Sequence, residues 1–125
     1  MTIDTNIIIA YLAGEKRIID LLTSWRLRGG FLYLPAVVEA EVLAFSKFTE
    51  IEYTLTQKFL EENFIFINLD RTIIRIAAEI RKNNKIKLPD ALIAATAMHT
   101  KSPLITKNHR DFKKIKGLRL VDINQ

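Results

Sequence analysis

The chain has 125 residues, of which 49% are hydrophobic and none is cysteine, and it carries a formal charge of +5 at pH 7. That length suits one ordinary domain, expected over residues 1–125, with a core that needs no staples. The lack of cysteine excludes a disulfide framework and thiolate zinc sites. No stretch has the length of a membrane span or the layout of a signal peptide, so a soluble, cytoplasmic protein is expected.

Alternating strand and helix patterns predict a three-layer α/β/α domain around a mostly parallel sheet of four or five strands. The chain opens on a strand over 1–4 and enters a helix over 5–12, with Asp4 or Thr5 placed to cap it. Gly14 breaks that turn. A helix over 15–28 carries Ile18, Ile19, Leu21, Leu22 and Trp25 at helical spacing, and Gly29-Gly30 stops it before a strand over 31–34. Pro35 suits the first turn of a helix reaching residue 45. The next helix, over 49–63, reads as amphipathic through Ile51, Leu55, Phe59 and Leu60. A strand over 64–69 follows, and Asp70 caps a helix over 71–83. The polar run 82–87 reads as a surface loop. Residues 89–100 form an alanine-rich helix, 103–106 a short buried strand, 109–115 one or two helical turns, and 118–123 the last strand. Such a domain forms its crevice at the carboxyl ends of the strands.

Three carboxylates stand beside apolar stretches, where a bare charge is disfavoured: Asp4 after the first strand, Glu41 within residues 36–45, and Asp90 at the start of the alanine-rich helix. A metal cation is the strongest partner for such groups, and an all-oxygen set without thiols points to Mg²⁺ or Mn²⁺. Each acid also has a plainer role. Asp4 suits a helix cap and Asp90 a helix's first turn. Glu41 has Val37, Val38, Ala44 and Phe45 as helical neighbours, so it is expected to project from an apolar face, yet periodicity does not separate it from Glu39. Thr106, Asn108 and Asp111 follow a strand at the same edge as Asp4 and Asp90. Asn108 offers a neutral oxygen. Asp111 is either a fourth acid or, the better-supported role, the cap of the turn containing Phe112 and Ile115. His99 is expected to be structural or exposed, and His109 could touch phosphate. There is no phosphate-cradling glycine loop, nucleophile elbow or Cys–His set, which argues against covalent catalysis.

Charge is unevenly spread. Residues 1–70 hold six Lys/Arg against ten Asp/Glu, giving −4, while residues 71–125 hold thirteen against four, giving +9. Such an excess is ordinarily a solvated surface, but here it flanks Asp90 and Asp111, and a basic half attracts polyanions. Lys107, Arg110, Lys113 and Lys114 are the candidate phosphate contacts.

Several motifs resemble those of PIN-domain ribonucleases, specifically VapC-type toxins of toxin–antitoxin pairs. They are Ile3-Asp4-Thr5-Asn6, the run Leu34-Pro35-Ala36-Val37-Val38-Glu39-Ala40-Glu41-Val42-Leu43, then Leu88-Pro89-Asp90-Ala91-Leu92-Ile93-Ala94-Ala95, and Leu104-Ile105-Thr106-Lys107-Asn108-His109-Arg110-Asp111-Phe112 with Gly117-Leu118. They follow the family's order and spacing along nearly the whole chain. The resemblance implies that Asp4, Glu41 and Asp90 form an acidic triad for Mg²⁺ or Mn²⁺, and it selects Glu41 over Glu39. Asn108 matches the family's fourth position, which is Asp or Asn, and Thr5, Asn6, Thr106 and Asp111 become supporting residues. Val38 departs from the pattern, standing where many relatives carry a hydroxyl. A PIN-like fold, hydrolysis of RNA phosphodiester bonds, a homodimer and a neutralising antitoxin partner are the implied properties. In that chemistry the ion neutralises the scissile phosphate and acidifies the attacking water.

Two other accounts compete. One is a PIN fold that binds RNA as an adaptor without cutting it. The other is a receiver-like or flavodoxin-like domain for a small ligand or partner, with Asp4 and Lys107 imitating its acid–lysine pair.

Overall fold

The protein is described by a computed structural model over residues 1–45 and 47–124. The elements follow the order β1 (Thr2–Ile3), α1 (Thr5–Leu12), α2 (Lys16–Leu27), β2 (Tyr33–Pro35), α3 (Ala36–Leu43) and α4 (Glu50–Asn63). After these come β3 (Ile65–Ile67), α5 (Arg71–Asn83), α6 (Leu88–His99), β4 (Leu104–Ile105) and α7 (His109–Phe112). The four strands form one all-parallel sheet in the order β3-β2-β1-β4, within the α/β/α layering expected. Thr2 pairs with Tyr33 on one side and Leu104 on the other, and Tyr33 pairs with Ile65. The chain therefore steps outward from β1 through β2 to β3 and returns to add β4 on β1's free side. That reversal opens a crevice past the ends of β1 and β4.

Local chemistry sets the element boundaries. Asp4, extended at φ −82° and ψ 158°, accepts from the Thr5 backbone N–H and starts α1. A reciprocal capping box of Thr49 and Glu52 starts α4, and Asp70 caps α5 through the Ile73 N–H at 2.8 Å. α2 ends where Gly29 turns to φ +82°. Gly30 then lies under Trp25, where an added Cβ would come within 2.2 Å of the indole nitrogen. α5 buries Ile73, Ala77 and Ile80, one stripe of its surface, against α6. α6 buries Ala91, Ile93, Ala94, Ala95, Thr96 and Ala97, and its small side chains let it approach both α5 and the sheet. Ile3, Leu34, Leu104 and Ile105 of the sheet join these helices in one core with Ile7, Ile8, Val38 and Phe112.

Four expectations change. The sheet has four strands among the described residues, within the four or five expected, but the expected last strand is not one of them. Residues 118–123 contribute only a single parallel bridge, Leu104 to Leu120, because the backbone engages Leu104 alone through Arg119 and Val121. Pro35 ends β2 and occupies the N-cap of α3 with extended dihedrals, one residue short of the first helical turn. The strands are also shorter than their apolar runs: β3 covers only Ile65–Ile67 of the expected 64–69, and at the sheet edge it leaves Ile65 and Phe66 exposed. Finally, α4 turns Thr56 and Leu60 inward and leaves Ile51 and Leu55 74% and 60% exposed. No helix among the described residues is long and apolar enough to cross a membrane.

Candidate active site

Asp4 emerges from the central strand β1 and is only 5% exposed. Three groups hold its carboxylate. The Thr5 backbone N–H donates to Oδ1 at 2.7 Å, while the Thr106 hydroxyl at 2.6 Å and the Asn6 amide at 3.3 Å donate to Oδ2. Thr106, just past β4, is fully buried, and its hydroxyl accepts in turn from the Asn108 backbone N–H at 2.9 Å. Asn6 accepts from the Lys107 backbone N–H at 3.1 Å. These bonds stitch the start of α1 to the loop after β4, and they follow from the β1–β4 pairing.

Glu41 reaches the same crevice from α3, and Asp90 from the first turn of α6; the crevice has a volume of about 610 Å³ and is lined also by Thr5, Asn6, Glu15, Lys107 and Asn108. Glu41 does not project from an apolar face. α3 gives Val38 and Val42 to the core, so Glu41 lies exposed at the rim, where the Thr5 hydroxyl donates to Oε1 at 2.6 Å. Glu39 lines a separate cavity with Leu60, Glu61, Phe64 and Phe66, so of the two glutamates only Glu41 joins Asp4 and Asp90.

Burial and like charge shape the electrostatics of the crevice. Burial pushes the Asp4 carboxyl above the usual carboxylate range; hydrogen bonds from Thr106, Thr5 and Asn6 oppose this, and the charge of Glu41 adds to it. Asp90 is pushed up by burial first, then by repulsion from Asp4, Glu41 and Asp111, with Lys87 acting weakly against them. None of Asp4, Glu41 and Asp90 makes a salt bridge among the described residues. As they stand, no three His, Cys, Asp or Glu side chains among the described residues are gathered closely enough to ligate one ion. Hydroxyls hold two of the carboxylates instead. The chemistry of the set is still that which a hard divalent cation takes: three carboxylates line one crevice, two of them raised by burial and mutual repulsion, and none is in a salt bridge among the described residues.

The other sequence candidates divide. Asn108 sits in the crevice, and its amide donates to Asp111 at 2.9 Å. Asp111 is not a helix cap: α7 begins at His109 with Asn108 in the N-cap position, which leaves Asp111 inside the helix and close enough to repel Asp90. Lys107 pairs with Glu15 at 2.7 Å, so its ammonium is committed to an acid other than Asp4 and does not form the receiver-like pair. Arg110 and Lys113 are exposed on and after α7. Lys114 bonds the Lys85 carbonyl and lines a second cavity with Arg81, Lys85 and Lys87, residues that the sequence presents only as a polar run. His99 is exposed and 3.8 Å from Asp70, while His109 buries an Nε2 without a hydrogen-bond partner, so that nitrogen does not face a phosphate. Glu15 is a further crevice residue with no signal in the sequence beyond its place after Gly14.

Comparisons with known proteins bear on this site. The family profile described as PIN domain matches residues 1–118. A toxin–antitoxin complex from Klebsiella pneumoniae contains a chain 30% identical to this one, aligned over 98% of this chain and 96% of that one with a TM-score of 0.83. VapBC-1 from nontypeable Haemophilus influenzae matches at 24% identity over 99% and 98% of the two chains, with a TM-score of 0.84. VapBC2 from Rickettsia felis, solved bound to a DNA fragment from its promoter, matches at 22% identity over 96% of each chain, also with a TM-score of 0.84. Comparison with curated protein sequences returns no match.

Proposed function

Since the chain belongs to the PIN-domain family, we propose that it is a metal-dependent endoribonuclease and the toxin of a toxin–antitoxin pair. One observation carries the nuclease reading: Asp4, Glu41 and Asp90 line a single crevice, and none of them makes a salt bridge among the described residues. A Mg²⁺ or Mn²⁺ ion bound by those three residues would supply charge neutralisation at the scissile phosphate and acidify an attacking water. The chain's own contribution is orientation. Thr106 and Asn6 fix the Asp4 carboxylate, Thr5 fixes that of Glu41, and Asn108 offers a neutral amide beside them. Single-stranded or looped RNA is the proposed substrate, because its backbone reaches such an open crevice.

The toxin reading rests on the 30% identity to the chain of a toxin–antitoxin complex over nearly the full length of both chains. An antitoxin and a second copy of this chain are the proposed partners. The exposed Ile51 and Leu55, one helical turn apart on α4, give a protein partner apolar surface to cover. The test is cleavage of structured and unstructured RNA by wild type and Asp4→Asn with Mg²⁺ or Mn²⁺. Wild type should cut, chelator should stop it, and Asp4→Asn should be inert. Equal cutting by both proteins sinks the reading. RNA binding without cutting by either transfers it to the adaptor account.

A further inference from the structure

We infer that the cavity on the other side of Asp90 is a subsite for a phosphate of the RNA strand adjoining the one to be cut; this rests on the nuclease reading above. The cavity, about 460 Å³, is lined by Arg81, Lys85, Lys87 and Lys114 around Ile86, together with Asp90 and Asp111. Asp90 lines the acidic crevice as well, so the two spaces are contiguous.

The four cations come from separate parts of the chain. Arg81 lies in the last turn of α5, Lys85 and Lys87 in the loop into α6, and Lys114 beyond α7. None of them makes a salt bridge among the described residues. Two are instead anchored by neutral carbonyls of one loop: Arg81 Nε donates to Ile86 at 3.1 Å, and Lys114 Nζ to Lys85. Buried Ile86 pins that loop to the core. Lys87 occupies the N-cap of α6 without a side-chain cap bond, so the positive end of the helix dipole adds to the cationic field. Neutral carbonyls position a cation without cancelling its charge, and the four cations outnumber the two lining carboxylates, a surplus that an anion would balance.

A strand whose scissile phosphate lies among Asp4, Glu41 and Asp90 must route its next phosphate away from those acids. The cationic cavity is the adjoining space that accepts it. Such a contact positions the strand and reads no base.

Binding of a single-stranded RNA oligonucleotide, followed by fluorescence anisotropy with Mg²⁺ in the uncleaving Asp4→Asn protein, tests this. Adding Lys85→Gln and Lys114→Gln should weaken binding about tenfold and reduce the salt slope by about one. The same charge loss through Arg17→Gln and Arg28→Gln, in the larger cavity between α2 and Val121 and Asp122, should change neither. Replacing each phosphate in turn by a neutral methylphosphonate should find one that weakens the parent protein's binding and leaves the Lys85/Lys114 variant unaffected. Equal losses from both pairs of substitutions, or none from the first, overturn the subsite. If the pocket pair matters but wild type cuts no RNA, the subsite stands and the nuclease reading falls. If wild type cuts while the pocket pair binds normally, the reverse holds. Absence of RNA binding by the parent protein overturns both.

Discussion

The two cavities that meet at Asp90 hold opposite charges, and each keeps its charge unpaired. In the acidic crevice the carboxylates of Asp4 and Glu41 are held by Thr106, Asn6 and Thr5, all neutral donors. In the basic cavity Arg81 and Lys114 are held by backbone carbonyls. The outer helix surfaces behave differently: Lys16 pairs with Asp20, Lys58 with Glu62 and Lys82 with Glu79, each within one turn. Those exposed pairs are structurally cheap and individually weak. Charge held by neutral groups, by contrast, is left for an outside partner to balance, and at Asp90 two such regions of opposite sign adjoin. A divalent cation on one side and a polyanion across both would satisfy the arrangement.

The severest way to break the acidic side is Asp4→Asn. It removes the buried member of the set and halves the acceptor capacity that Thr5, Thr106 and Asn6 address. Mn²⁺ affinity should fall by roughly a hundredfold or more, since even outer partners of a ligand commonly cost 10–100-fold. Calorimetric titration against wild type measures this, with circular dichroism to verify the fold. Equal affinities in the two proteins would remove Asp4 from the metal site.

Thr106→Val comes next. The hydroxyl donates to Asp4 Oδ2 and accepts from the Asn108 N–H, so its loss leaves a buried carboxylate short of a donor and a backbone N–H without an acceptor. Roughly 1–3 kcal/mol of stability should go, and metal affinity should drop about tenfold through misplacement of Asp4. Thr106→Ser should restore both, because it returns the hydroxyl. Urea unfolding of the three proteins together with Mn²⁺ titration decides the matter. A silent Thr106→Val would mean that the Thr5 and Asn6 bonds suffice.

Much of this arrangement was legible in the sequence. The parallel sheet followed from alternation of strand and helix patterns, and Asp4 and Asp70 announced their helices by position. Asp4 and Thr106 could be placed at one edge because each follows a parallel strand, whereas Asp90 opens a helix that follows another helix and was placed with them by the family pattern. Glu41 needed more than periodicity, since α3 is too short for its apolar face to be unambiguous, and the family pattern pointed to the residue that reaches the crevice. What periodicity could not give was pairing over distance. Glu15 capturing Lys107 is a contact between residues on opposite sides of the chain's length. Arg81, Lys85 and Lys87 read as scattered surface charge, and Lys114 as a phosphate contact beside Lys113, until α5, α6 and the segment after α7 are folded together. Ile51 and Leu55 misled in the opposite sense, because helical spacing marks an apolar stripe whether the chain or a partner covers it.

Asn108 should have a smaller effect than Thr106. Its side chain contributes an amide that donates to Asp111 at 2.9 Å, so Asn108→Ala should slow cleavage roughly tenfold and leave the metal site intact. Asn108→Asp is more informative. It would face the Asp111 carboxylate with a like charge in a cluster that already repels Asp90, lowering stability without metal and restoring it when Mn²⁺ is added. Thermal unfolding with and without Mn²⁺ reads both. If Asn108→Ala is as inert as Asp4→Asn, the amide has been ranked too low.

The gentlest test of the contrast is Asp90→Asn, which sits at the junction and should stabilise the metal-free protein. Burial and the repulsion of Asp4, Glu41 and Asp111 raise the Asp90 pKa in the fold above its unfolded value, ordinarily about 3.9. The protonated form therefore suits the fold better. Its stabilising contribution is complete below the unfolded pKa and is lost as pH rises through the raised folded value, so at pH 7 the charged carboxylate is a net burden. Replacing it by a neutral amide should raise Tm by a few degrees at pH 7. The gain stays modest because Asp90 is only half-buried and solvent screens it. Near pH 3, where the wild-type carboxyl is itself uncharged, the difference should vanish. Saturating Mn²⁺ should reverse the order at pH 7, because binding to the native state stabilises wild type more than a variant missing a ligand. Scans at the two pH values, with and without Mn²⁺, give four comparisons. A variant less stable than wild type in the metal-free scan at pH 7 would show that Lys87 and the helix dipole, rather than the neighbouring acids, dominate the surroundings of Asp90.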